Sequence, residues 1–116
     1  MPDHEQPDGR LSSDILARLA EVIEARKSAD QDESYVASLL NGDVSRVLKK
    51  IGEEGVEFAL AVRDGERDAI VHEAADLWFH VMVALSQAGV SPQEVMGELE
   101  RRFGMSGLEE KRTRKS

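Results

Sequence analysis

Apolar residues recur along this chain at the three-and-four spacing of an α-helix in several separate stretches, with no convincing strand alternation between them. Ile15, Leu16, Leu19, Val22 and Ile23 form the first stripe; Ser12 or Ser13 can cap it, predicting a helix to about Lys27. After a polar connection over 28–33, a short helical segment runs from Ser34 through Leu40 and breaks at Asn41-Gly42. Asp43 caps a long helix reaching to about Arg63. Asp64-Gly65 signals a turn, and Glu66 to Ala88 reads as a second long helix ending at Gly89. Ser91-Pro92-Gln93-Glu94 combines a capping serine, a proline at the first helical position and a glutamate three residues after the cap. The helix it starts covers Pro92 to Phe103 and stops at Gly104. The expected fold is an all-α bundle of four to five helices.

The two long helices carry the unusual patterning. On the first, Val44, Val47, Leu48, Ile51, Gly55, Phe58, Ala59 and Val62 share one stripe, the expected core face. Glu54 and Glu57 lie on its flank with Lys50, Glu53 points to the far side, and Val56 and Leu60 occupy another flank. In the second, the run from Ala74 to Ser86 is interrupted only by Asp76, His80 and Ser86. A helix apolar over so much of its circumference is buried on several sides, which in a chain this small implies a partner subunit, an identical copy in a homodimer.

At 116 residues the chain is expected to form one domain, over residues 11–104. Residues 1–10, with two prolines and a glycine, read as a disordered arm, and residues 105–116 as a tail that turns basic after Glu110. Fifteen basic against 23 acidic residues leave a net charge of −8, which argues against nucleic-acid binding. There is no cysteine, so disulfides and thiolate metal sites are excluded. No run is long enough to span a bilayer, and no basic segment followed by an apolar stretch opens the chain. The expectation is a soluble, untargeted, cytoplasmic protein that binds no membrane.

An ionised carboxylate within the apolar run of the second long helix must find a partner, neutralise or bind a cation. Glu73 lies three residues before Asp76, and Glu54 and Glu57 repeat that spacing on the preceding helix. Each pair shares one helix surface, and an antiparallel packing brings the pairs face to face. Four converging carboxylates with few cations between them would repel one another, and a divalent ion resolves the conflict. Oxygen donors without sulfur point to Mg²⁺, with Mn²⁺ as a substitute. His80 could orient a carboxylate through a hydrogen bond, the favoured reading, or be an ordinary satisfied core histidine. A di-iron site fits worse, for want of the required Glu-x-x-His spacing. The run from His72 to Asp76 opens like the zinc-protease His-Glu-x-x-His motif but has aspartate at its end.

On Ser34-Tyr35, the block from Val47 to Glu54 with Glu57, Glu73-Ala74-Ala75-Asp76-Leu77 with His80, Glu98 to Arg102, and Ser106 to Lys111, the sequence resembles the phosphoribosyl-ATP pyrophosphohydrolase family. That family lies within the all-α, MazG-like nucleoside triphosphate pyrophosphohydrolase superfamily. The resemblance implies hydrolysis of 1-(5-phosphoribosyl)-ATP between its α and β phosphates, the second step of histidine biosynthesis. It implies Glu54, Glu57, Glu73 and Asp76 as Mg²⁺ ligands and a carboxylate free to take the proton of the attacking water, Glu54 or Glu53. It makes Lys49, Lys50, Lys111 and Arg114 candidates for the substrate phosphates, the last two on a tail that would close over the substrate. Gly55 departs from the family pattern, which carries alanine there; it could admit a close helix approach or merely loosen its own. The cyclohydrolase often fused N-terminally to relatives is expected on another chain. Two other functions are compatible with the acids: a housecleaning pyrophosphohydrolase for ordinary or damaged nucleoside triphosphates, and a non-catalytic helical dimerisation module.

Overall fold

Two long helices dominate the architecture. In the computed structural model, which describes residues 15–28 and 34–104, α3 (Val44–Asp64) and α4 (Arg67–Ala88) form an antiparallel hairpin whose arms are each about 32 Å long. Local chemistry sets their ends. The Asp43 carboxylate accepts the Ser45 amide at 3.0 Å, occupying one of the donors left free at the start of α3. Gly65 closes α3 in the left-handed region at φ 75°, its N–H reaching Ala61 O at 3.0 Å and Val62 O at 3.1 Å. Gly89 closes α4 in the same way at φ 74°; a side chain would strain either position.

Three shorter helices buttress one end of the hairpin: α1 (Ile15–Arg26), α2 (Tyr35–Leu40) and α5 (Pro92–Phe103). The Ser34 hydroxyl caps α2 by accepting from Ala37 N. At α5 the predicted capping box is complete, with Ser91 and Glu94 each accepting the other's backbone N–H and Pro92 in the first turn. The start of α1 expected at Ser12 or Ser13, the connection over 29–33, the arm over 1–10 and the basic tail with Lys111 and Arg114 lie outside the described residues. Among the described residues there are five helices and no strand, and no helix is long and apolar enough to cross a membrane. The all-α bundle expected from the periodicity is therefore the observed fold.

The core gathers where α1 and α2 meet the first half of α3 and the second half of α4. Ile23, Leu39, Val47, Met82 and Val83 form its buried centre, and Leu16, Leu19, Val36, Ile51, Phe79 and Leu85 pack around it. Polar ties reinforce this end: Ser86 Oγ donates to Glu24 at 2.7 Å, and Gln87 Nε2 donates to the Leu39 carbonyl at 2.9 Å. The Ser86 hydroxyl and then the Lys27 ammonium hold the Glu24 carboxyl below its ordinary range.

The buried line of α3 corrects the expected core face. Val47, Glu54 and Ala61 are buried with Ile51 half-buried between them, whereas Val44, Leu48, Ala59 and Val62 are exposed. The apolar stripe is wider than the surface α4 can cover, and α4 takes the side that includes Glu54 rather than the side centred on Leu48. Gly55 admits no close helix approach either, since a Cβ there would meet nothing within 4 Å. At the far half of the hairpin Val56, Leu60, Val71 and Trp78 stand open, Trp78 at 62 % exposure.

Candidate metal centre

Four acids meet at the boundary between the packed and the open halves of the hairpin. Because α3 and α4 run antiparallel, the i, i+3 pair Glu54 and Glu57 faces the i, i+3 pair Glu73 and Asp76. One carboxylate oxygen from each of Glu54, Glu57 and Glu73 lies within a set spanning no more than 4.8 Å. Glu73 and Asp76 form a second set of the same width with His72. Glu73 belongs to both, so the four predicted acids form one continuous cluster across the helix pair.

Glu54 is the least comfortable member. It is only 5 % exposed; one oxygen lies 3.5 Å from Lys50 Nζ, and the other, Oε2, is buried without a hydrogen-bond partner. A buried carboxylate oxygen with no donor is costly, and a cation placed among these oxygens would relieve it. Burial and the adjoining carboxylates of Glu54 and Glu57 push the Glu73 carboxyl above its ordinary range, with His72 opposing them. The donor set is hard oxygen on both helices, which suits a small divalent cation rather than a thiophilic one.

Around the acids stands a smaller basic and aromatic group. Lys50 contacts Glu54 and, at 3.8 Å, Glu53, whose side chain is about half exposed. Partial burial lowers the Lys50 pKa, but the Tyr35 phenol and the carboxylates of Glu54 and Glu53 outweigh it and hold the ammonium above its ordinary range. Lys49 is exposed and has no ion pair among the described residues.

His80 is 4 % exposed, and its contacts differ from the expected carboxylate bond. Its Nδ1 lies 2.8 Å from the backbone oxygen of Asp76, which can only accept, so Nδ1 carries the proton. Nε2 then accepts from Tyr35 Oη at 2.9 Å. The histidine holds the backbone turn that carries Asp76 rather than the carboxylate itself. The histidine beside a carboxylate is His72, whose Nε2 lies 3.5 Å from Asp76 Oδ2. Its spacing of four residues before Asp76 was visible in the sequence; the Tyr35 to His80 bond, spanning 45 positions, had no local signal. A cavity of about 220 Å³ between α1, α4 and α5, lined by Ala17, Ala20, Glu21, Met82, Val90 and Pro92 among others, includes none of the four acids.

An all-α bundle presenting Glu-x-x-Glu against Glu-x-x-Asp across an antiparallel helix pair has the architecture of the all-α nucleoside triphosphate pyrophosphohydrolases. Residues 16–103 match the family model described as Phosphoribosyl-ATP pyrophosphohydrolase, and the chain belongs to that family. It is similar to a phosphoribosyl-ATP pyrophosphatase of Methylibium petroleiphilum, 57 % identical over 102 residues that cover 88 % of this chain and 85 % of that protein. The phosphoribosyl-ATP pyrophosphatase of Methylococcus capsulatus is 56 % identical over 102 residues, covering 88 % and 97 %. That of Nitrosomonas eutropha is 52 % identical over 103 residues, covering 89 % and 88 %.

Proposed function

We propose that this chain hydrolyses 1-(5-phosphoribosyl)-ATP to 1-(5-phosphoribosyl)-AMP and pyrophosphate, the second step of histidine biosynthesis, with Mg²⁺ held by Glu54, Glu57, Glu73 and Asp76. Family membership supports the reaction, and the buried, unpartnered Oε2 of Glu54, a residue grouped with Glu57 and Glu73, supports the cation. When bound by these carboxylates, Mg²⁺ would supply positive charge for the phosphate oxygens and a more acidic water; Mn²⁺ would serve in the same oxygen set.

The protein's own groups divide the remaining work. With Glu54, Glu57, Glu73 and Asp76 holding the cation, the carboxylate left to take the proton of the attacking water would be Glu53, which is solvent-accessible and shares Lys50 with Glu54. Lys50 offers its ammonium to the departing pyrophosphate. His80 and Tyr35 keep the Asp76 turn in place through the Asp76 carbonyl. Lys49 on the helix edge and Lys111 and Arg114 on the tail add charge for the substrate's outer phosphates.

A homodimer in the cytoplasm is the working form. Val56, Leu60, Val71 and Trp78 make an apolar surface on the open half of the hairpin that a second copy would cover. Sedimentation of the unmodified chain as a dimer and of Trp78→Glu as a monomer is expected; a monomeric unmodified chain contradicts the assembly.

The reaction is tested by mixing the purified chain with phosphoribosyl-ATP, dUTP and dCTP in the presence of Mg²⁺ and following pyrophosphate. Preferential turnover of phosphoribosyl-ATP is expected. Faster turnover of a simple nucleotide would instead assign a housecleaning enzyme, and no turnover of any of them a non-catalytic module.

A further inference from the structure

Arg46 is a cation of the hairpin held against an aromatic ring rather than a carboxylate. It sits on α3 four residues before Lys50 and eight before Glu54, on the stripe that leads to the acids. In a chain of net charge −8 it has no carboxylate partner among the described residues. Its guanidinium lies over the Tyr35 ring, 5.9 Å from the centroid, and Nη1 donates a long 3.4 Å bond to Ser38 Oγ. A guanidinium held over a ring, with a single long bond to a neutral hydroxyl, keeps most of its N–H groups for an oxyanion.

Tyr35 is the structural link to the acids. Its ring stacks near Phe79, its hydroxyl bonds His80, and its phenol lies close enough to Lys50 to raise the ammonium's pKa. Tyr35 is 47 % exposed and Arg46 is exposed, so the surface running from Lys50 over Tyr35 to Arg46 is open to a ligand.

Given the family reaction, the substrate has two separated anionic ends: the triphosphate that reacts, and the phosphate monoester on the second ribose. Eight helical residues put Arg46 about 12 Å from Glu54 along the helix axis. The departing β and γ phosphates stay within two anhydride links of the reacting phosphorus, within range of Lys50. The distant monoester, separated from the reacting end by both riboses and the base, matches the longer reach. We infer that Arg46 binds the phosphate of the substrate's phosphoribosyl group and thereby distinguishes phosphoribosyl nucleotides from ordinary adenine nucleotides. A doubly charged phosphate monoester accepts two parallel N–H bonds from an arginine fork, which a lysine cannot supply.

This assignment rests on the substrate proposed above, and equilibrium binding of the product separates the two. Phosphoribosyl-AMP and AMP are titrated calorimetrically, with Mg²⁺, into the unmodified chain, Arg46→Gln and Arg46→Lys. The unmodified chain is expected to prefer phosphoribosyl-AMP. Arg46→Gln should weaken phosphoribosyl-AMP roughly ten- to a hundred-fold, the range for a hydrogen bond to a charged group, and leave AMP unchanged. Arg46→Lys, which keeps the charge and the helix surface, should lose a smaller part of the preference. Equal weakening of both ligands, or no weakening in Arg46→Gln, overturns the role of Arg46. Pyrophosphate release from phosphoribosyl-ATP by the unmodified chain is scored separately: its absence defeats the proposed reaction, whereas the binding ratios of the variants decide the role of Arg46.

Discussion

Replacing Glu54 with glutamine should make the metal-free protein more stable and the metal-loaded protein less stable. Without a cation, Glu54 keeps a carboxyl group at 5 % exposure with Oε2 unbonded and an oxygen of Glu57 and of Glu73 within 4.8 Å. An unsatisfied buried polar atom costs about 1–3 kcal/mol. The contact with Lys50, at 3.5 Å and with the lysine 36 % exposed, returns at most about 1 kcal/mol. Glutamine keeps the shape, removes one charge, and brings an amide that donates to Glu57 or Glu73, while Lys50 retains Glu53. The expected gain is about 1 kcal/mol, or a rise in Tm of about 4 °C for a chain of this size. Saturating Mg²⁺ inverts the order. A ligand present at a hundred times its Kd stabilises the folded state by about 2.7 kcal/mol, and Glu54→Gln, lacking a charged donor, should gain far less. Thermal melts followed by helical circular dichroism, with EDTA and with Mg²⁺, read both halves. A variant that melts below the unmodified chain in EDTA, together with no effect of Mg²⁺ on either protein, would mean that Glu54 is neither strained without metal nor a ligand.

Other consequences follow from the same contacts. The Glu73 carboxyl is held above its ordinary value, so the folded chain binds its proton more tightly than the unfolded one. Its contribution to stability is therefore present at low pH and is lost as pH rises from about 4.5 through the raised value. Melts of metal-free protein should show this loss, and Glu73→Gln should flatten it over that window. Tyr35→Phe removes the hydrogen bond to His80 Nε2; a loss of about 1 kcal/mol in urea unfolding is expected, with a fall in kcat exceeding any change in overall helicity. An unchanged kcat would limit the Tyr35–His80 pair to a structural role. Glu53→Gln should lower kcat while leaving Mg²⁺ stabilisation intact, whereas Glu54→Gln should reduce both; loss of Mg²⁺ stabilisation in Glu53→Gln would make Glu53 a ligand rather than the base.

The helix limits were legible because they are local. Asp43, Ser91 and Pro92 at the starts and Gly65 and Gly89 at the ends act on backbone groups within a turn of themselves. The acids were legible as two i, i+3 pairs joined by a short turn, and the structure groups Glu73 with Glu54 and Glu57 on one side and with Asp76 and His72 on the other. The inner side of α3 was not. Helical periodicity marks a wide apolar stripe from Val44 to Val62, but the part that is covered depends on which neighbours pack against it, so Glu54 came to lie inside while Leu48 stayed out. Tyr35, His80 and Arg46 were equally opaque as a group, since their association depends on where a six-residue helix settles against the hairpin.

The most direct test is Mg²⁺-dependent release of pyrophosphate from phosphoribosyl-ATP by the purified chain, compared with the Asp76→Asn variant. The unmodified chain should release pyrophosphate only with a divalent cation present, and the variant should lose most of that activity while remaining folded. Release that persists in EDTA, or that Asp76→Asn leaves intact, would contradict a metal centre built from these four acids.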